Sequence, residues 1–254
     1  MSRRRWIADE VDGDRAALVG EHALHLVRVL RAHVGQEFDI ATGDRVRRGR
    51  VTSVRDGAGN AEARVDFELA EELDERMEAA LTVVLAVFKF DRMEWAIEKC
   101  TELGATAIVP VLARRTDVHL AKAAGKRVER WRRIAVQASE QSRRSSVPQI
   151  PDPVKLAAVL RDFGADANLS ATDRYEPATR IVLAETENEV SLAELVGATE
   201  GPVVIAVGPE GGWTEEELTA FSKAGWKSAS LGKNILRAET AAIAAVVVAK
   251  ALNA

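Results

Sequence analysis

The sequence predicts an α/β protein with a mainly parallel sheet, preceded by a smaller β-rich unit. Three observations lead there. Residues 81–88, 107–112 and 203–207 are continuous apolar runs of strand length, the pattern of strands buried on both faces. Segments with helical apolar spacing alternate with such runs from residue 73 onward, as in sheets whose crossovers are helices. The first 72 residues instead hold short strand-forming stretches separated by turn signals. At 254 residues the chain is long enough for both units to bury a core.

Taken in order, residues 21–32 place Leu24, Val27 and Leu30 at helical spacing, with Gly35 as the stop. Strands are expected over 36–42, 45–54 and 61–69, with turns at 42–44 and 56–60 and a domain boundary near residue 73. Residues 1–72 then form one domain and 73–254 the other. Strand 81–88 leads to a helix over 91–103, with Asp91 as its N-cap and Gly104 as its stop. Strand 107–112 is followed by a basic helix over 126–141. Residues 154–162 look helical, 168–171 and 180–184 like strands, and 191–196 like a short helix. Strand 203–207, helix 214–223 and strand 227–231 follow. Residues 241–252 close the chain as an almost wholly apolar helix that needs cover on most sides.

Composition narrows the chemistry. A single cysteine, Cys100, excludes an intramolecular disulfide and argues against a thiolate metal site. His22 and His25 share a helix face, but no cysteine or carboxylate pattern completes a metal site, so no metal is expected. No apolar run reaches the roughly 18 residues of a membrane span, and the basic N-terminus leads into no apolar signal segment. The expectation is a reducing, cytoplasmic, soluble protein. No G-x-S-x-G, P-loop or G-x-G-x-x-G motif is present, which removes serine hydrolases, P-loop NTPases and Rossmann dehydrogenases.

The net charge of −4 conceals its distribution. Residues 73–150 carry 14 basic and 10 acidic side chains, whereas residues 151–254 carry nine and 15. The excess is concentrated in residues 114–144, with ten basic and three acidic side chains. Arginine clusters with an interleaved aromatic suit a phosphate backbone, and a solvated helix face has the same composition.

Two segments concentrate the site chemistry. In VGPEGGWTEEE (207–217) a buried strand runs into three glycines and a proline, then into a helix with capping-box spacing between Thr214 and Glu217. Ligands of α/β sheets bind at the carboxyl ends of strands, where such loops lie. Because carboxylates already load this helix start, a neutral or cationic ligand fits better than a pyrophosphate. In LGKNILRAETAA (231–242) the last helix is expected to begin at Thr240, with Arg237 and Glu239 just outside it. Arginine beside a helix N-terminus needs an anion nearby, either Glu239 or a substrate group.

These segments, with HALHLVRVLRAHVGQ (22–36), FKFDRMEWAIEKCTELGATAIVP (88–110) and the arginine-rich stretch 130–150, resemble the RsmE family. These are the 16S ribosomal RNA uridine-N3 methyltransferases of the SPOUT superfamily. The departures are small: Ala238 stands where threonine is common, and Lys233 and Asn234 replace a frequent Pro-Arg.

The resemblance implies a PUA-like RNA-binding β-barrel in front of an α/β domain with a deep trefoil knot. It implies S-adenosylmethionine as cofactor, held by Leu183, Ala184, Glu185 and Thr186, by Gly208, Pro209, Glu210, Gly211 and Gly212, and by Leu231, Gly232, Asn234, Ile235, Leu236 and Thr240. It implies a homodimer, with the last helix and the knot loops near the interface, and 16S ribosomal RNA in the small subunit as partner. Arg237 is the expected stabiliser of the uracil anion, and either Glu140 or Glu239 the proton acceptor. Arg3, Arg4, Arg5, Arg31, Lys89, Arg92, Arg130, Arg132, Arg133, Arg143 and Arg144 are expected to face RNA. The competing readings are a SPOUT enzyme acting on transfer RNA and a non-catalytic RNA-binding module.

Overall fold

The computed structural model describes residues 5–42, 45–57, 62–73, 80–163, 178–199 and 201–252. The chain divides into two compact units. One comprises Met1–Met77 with Ser139–Val147, and the other Glu78–Ala138 with Pro148–Ala254.

The first unit is built on a six-stranded sheet of order β1-β4-β5-β6-β3-β2. Its strands are β1 (Arg5–Ile7), β2 (Glu10–Asp12), β3 (Arg15–Val19), β4 (Glu37–Ala41), β5 (Val46–Arg55) and β6 (Arg64–Leu73). Only the β1–β4 pair is parallel; all the others are antiparallel. Alternation along β4 to β6 sends Phe38, Ile40, Val51, Val65 and Phe67 into one core with Leu18 and Leu26. The expected helix over 21–32 is shorter and broken: α1 (Gly20–Leu24) passes into a π-helical turn over His25–Val29. Strands β1 to β3 were not expected from the sequence, because they are three to five residues long and β2 is exposed throughout.

The second unit carries an all-parallel sheet of order β12-β10-β11-β7-β8-β9. Its strands are β7 (Leu81–Ala86), β8 (Ala107–Leu112), β9 (Val154–Lys155), β10 (Thr179–Leu183), β11 (Val203–Val207) and β12 (Lys227–Ala229). Its helices are α2 (Phe90–Glu102), α3 (Val118–Ala123), α4 (Val128–Gln141), α5 (Leu156–Asp162), α6 (Leu192–Gly197), α7 (Glu215–Lys223) and α8 (Ala238–Leu252). The two central strands, β7 and β11, are the most buried, and all five residues of β11 are buried. The edge strands β9 and β12 have two and three residues, which blunts the sheet edges. Moving from β7 to β8 and β9 the order runs one way; β11, β10 and β12 lie on the other side. That reversal opens a crevice at the carboxyl ends of the strands.

Two expected helix starts are corrected. The N-cap position of α2 is Lys89, not Asp91, and no side chain of its own segment caps it. Instead the backbone N–H of Lys89 donates to Glu210 Oε1 at 3.4 Å. Helix α8 begins at Ala238, so Thr240 lies inside its first turn and Glu239 belongs to the helix. The first bond of α8 runs from Ala241 N to Arg237 O at 2.8 Å. The stop at Gly104 holds, with φ of 100°, as does the capping box of Thr214 with Glu217, and Ser191 forms a second box with Glu194. Residues 168–171 and the turn residues 43–44 and 58–60 lie outside the described residues.

Candidate active site

The loops that follow β10, β11 and β12 surround a cavity of about 450 Å³. Those strands are neighbours in a parallel sheet, so their carboxyl-end loops converge on one place. Lining comes from residues 183–186, 208–213 and 229–238, with Arg92 from α2 and Arg115 from the loop after β8. The size suits a cofactor-sized ligand.

The glycine loop is shaped by its close approaches. Gly212 has φ of +67° and donates its N–H to Pro209 O at 2.8 Å, closing a tight turn. A Cβ on Gly208 would stand 3.3 Å from Trp213 Nε1 and 3.4 Å from Gly212 Cα. Trp213 is buried and packs edge-on to Phe221, which packs edge-on to Trp226, both at 5.0 Å between centroids. That aromatic ladder anchors the loop to α7. The Thr214–Glu217 capping box holds the start of α7 and contributes about 1 kcal/mol. Glu217 is buried and its other oxygen accepts the Arg114 N–H at 2.8 Å, so this carboxylate is structural.

Charge in the cavity is mixed. Glu185 and Glu210 stand on one set of loops, and Arg92, Arg115, Lys233 and Arg237 on the others. Arg115 is committed to the glycine loop, donating to the carbonyls of Gly211 at 2.5 Å and Trp213 at 3.3 Å. Arg92 lies 3.5 Å from Glu239 Oε1. Glu239 is 5% exposed, and its Oε2 is buried with no hydrogen bond among the described residues.

The cavity gathers every residue expected around the cofactor except Thr240, which is exposed and does not line it. Arg237 lines it as well. Glu239 does not, but stands behind Arg92. Glu140 belongs to the first unit and faces His22, with His22 Nε2 2.9 Å from Glu140 Oε1. His22 Nδ1 meets Asp9 Oδ1 at 2.9 Å, and these two carboxylates push the imidazole up to about 10. Burial alone pushes the Cys100 thiol up to about 12, consistent with an inert core thiol. Among the described residues no cluster of ligating side chains forms a metal site.

The expected RNA-facing cations separate into groups. Arg3 and Arg4 lie outside the described residues. Arg5 donates to Arg143 O at 2.6 Å, and Arg31 and Arg143 both adopt positive φ. Arg130 is paired with Glu94 at 2.7 Å. Arg132 is held by Ile150 O, Glu129 and Asp152. Lys89 and Arg133 are exposed, and Arg144 is half-buried. No helix among the described residues is long and apolar enough to cross a membrane.

Sequence reasoning missed Arg115 as a cavity residue. Arg115 follows the end of β8 by three residues, so the rule of strand carboxyl ends was the available signal.

Residues 75–250 match a family model described as an RNA methyltransferase domain. Over 99% of its length the chain is 34% identical to the ribosomal RNA small subunit methyltransferase E of Synechocystis sp., covering 78% of that protein. Over 91% it is 31% identical to the protein of the same name from Bacillus subtilis, covering 87% of it. Its fold is similar to the crystal structure of the Neisseria gonorrhoeae ribosomal RNA small subunit methyltransferase E bound to S-adenosyl methionine. That match has a TM-score of 0.77 and 27% identity, covering 99% of this chain and 98% of the other.

Proposed function

This chain belongs to the RNA methyltransferase family, with the ribosomal RNA small subunit methyltransferases E, and from that premise we propose that it methylates N3 of a uridine in 16S ribosomal RNA with S-adenosylmethionine. The observation that carries the reading is the cavity at the ends of β10, β11 and β12. Its lining, which carries both signs of charge, fits a cofactor that bears a sulfonium, an ammonium and a carboxylate but no phosphate. A side chain at Gly208 would press on Trp213 and Gly212 of the same loop, and Glu185 and Glu210 supply negative charge opposite Arg92, Lys233 and Arg237. The helix start beside the glycine loop carries Glu215, Glu216 and Glu217 in place of bare N–H groups. When bound, S-adenosylmethionine supplies an electrophilic methyl group on a sulfonium.

The protein's own work is positioning and charge stabilisation. The N3 proton of uridine is retained at neutral pH, so the base becomes a nucleophile only as that proton leaves. Arg237, at the N-cap position of α8, is assigned to the negative charge that develops over the uracil carbonyls. Of the two carboxylates considered for the proton, Glu239 is in the same unit as the cavity, and its Oε2 has acceptor capacity to spare. Since it does not line the cavity, the proton must be relayed to it. Glu140 is assigned instead to the ion cluster with His22.

The reading extends to architecture. Residues 1–72 are proposed as a PUA-like RNA-binding barrel and 73–254 as the methyltransferase domain, with the loops after β10, β11 and β12 tied in a trefoil knot. A homodimer is proposed through α8, where Val247 and Leu252 are 45% and 46% exposed, and α2, where Trp95 is 48% exposed. Calorimetric titration with S-adenosylmethionine, followed by labelled methyl transfer to unmethylated small subunits and to transfer RNA, tests the function. Transfer to small subunits alone is expected, and transfer to transfer RNA alone would overturn it.

A further inference from the structure

Arg115 crosses from the loop after β8 to the glycine loop after β11, nearly a hundred residues later in the chain. Its Nη1 donates to the carbonyls of both Gly211 and Trp213. Its aliphatic stem lies on Gly211: a Cβ there would stand 3.3 Å from Arg115 Cδ and 3.5 Å from Arg115 Cβ. Gly211 has no positive φ among the glycines of this loop, so the stem, not the backbone conformation, explains the missing side chain.

The root of Arg115 is itself fixed on both sides. Thr116 Oγ1 donates to Val87 O at 3.1 Å and accepts the Ala113 N–H at 3.2 Å. The Arg114 N–H donates to Glu217 Oε1 at 2.8 Å, which ties the same segment to the start of α7. A planar guanidinium can serve two carbonyls in a fixed direction, whereas an ammonium is a point charge on a flexible stem. With two carbonyls turned toward Arg115 and the Pro209–Gly212 turn closed, the loop is held by contacts internal to the protein. Such preorganisation lowers the ordering cost of binding.

We propose that Arg115 is a positioning residue that straps residues 208–213 into their ligand-binding conformation, with Gly211 kept free of a side chain to seat its stem. The proposal rests on the reading of this cavity as the S-adenosylmethionine site.

The test combines Arg115→Lys, Arg115→Ala, Gly211→Ala and the double variant Arg115→Ala/Gly211→Ala. In the ligand-free proteins, hydrogen exchange over residues 208–213 should quicken in Arg115→Lys while the rest of the sheet keeps its protection. The dissociation constant and KM for S-adenosylmethionine should rise roughly tenfold or more, with kcat at saturation within about twofold. Gly211→Ala should weaken binding in the wild-type background and add nothing once Arg115 is alanine, because the group it displaces is gone. A dissociation constant within twofold of wild type in Arg115→Lys with unchanged exchange overturns the strap, as do additive effects in the double variant. Faster exchange in Arg115→Lys together with no binding of S-adenosylmethionine by the wild type supports the strap and overturns the cofactor reading.

Discussion

Glu239 places one carboxylate oxygen 3.5 Å from Nη1 of Arg92, while its other oxygen is buried and takes no hydrogen bond among the described residues. A buried carboxylate with a spare acceptor, next in sequence to the lining residue Ala238, is both a support for Arg92 and a place for a proton. Replacing Glu239 with glutamine keeps the shape and removes the charge. Methyl transfer measured in a single turnover should then slow by about 10²-fold or more, the range for loss of an acid–base group. Cofactor affinity by calorimetry should stay within about twofold, since the residue does not line the cavity.

Arg237 carries the opposite expectation of charge and a similar one of outcome. It lines the cavity at the first residue before α8, where an unpaired cation is unfavourable until an anion arrives. Arg237→Ala should reduce kcat by about 10²–10³-fold, as for loss of one oxyanion donor. The dissociation constant for S-adenosylmethionine should remain nearly unchanged; unchanged turnover would remove Arg237 from the mechanism.

The His22 cluster predicts a pH effect on stability. Asp9 and Glu140 raise the folded pKa from 6.5 to about 10. The folded protein therefore holds a proton that the unfolded chain releases above 6.5. Stability from this site is complete below that pH and is lost as pH rises through about 10. Urea midpoints should fall between pH 7 and pH 10.5 in the wild type. His22→Gln should be less stable at pH 7 and should show a smaller fall.

The basic residues of α4 should not contribute equally to RNA binding. Arg132 is engaged by Ile150 O, Glu129 and Asp152, while Arg133 is exposed. Arg133→Ala should weaken RNA binding uniformly across sequences and lower the slope of log K against log salt by about 1. Arg132→Ala should act mainly on the thermal midpoint. Equal salt slopes in the two variants would contradict this division.

Much of the second unit was legible because burial on both faces leaves a continuous apolar signature, as in β7, β8 and β11. The glycine loop was legible because its residue types are costly anywhere else. What escaped depends on contacts between distant residues. Asp91 looks like a cap in its own segment, but the helix begins one residue earlier and the cap arrives from Glu210. Thr240 likewise has a good capping side chain, yet Ala238 already continues the helix from Arg237. Arg115 read as one of ten cations in a belt until its carbonyl partners were placed beside it. In the first unit, β2 is polar and exposed, so no apolar alternation announces it.

The central claim is a reaction at one atom of one base. Small subunits lacking the modification should be incubated with the chain and methyl-labelled S-adenosylmethionine, and the digested 16S ribosomal RNA examined by mass spectrometry. A single N3-methyluridine is expected with the wild type and none with Arg237→Ala. A labelled product on ribose, on another base or on no nucleotide at all would contradict it.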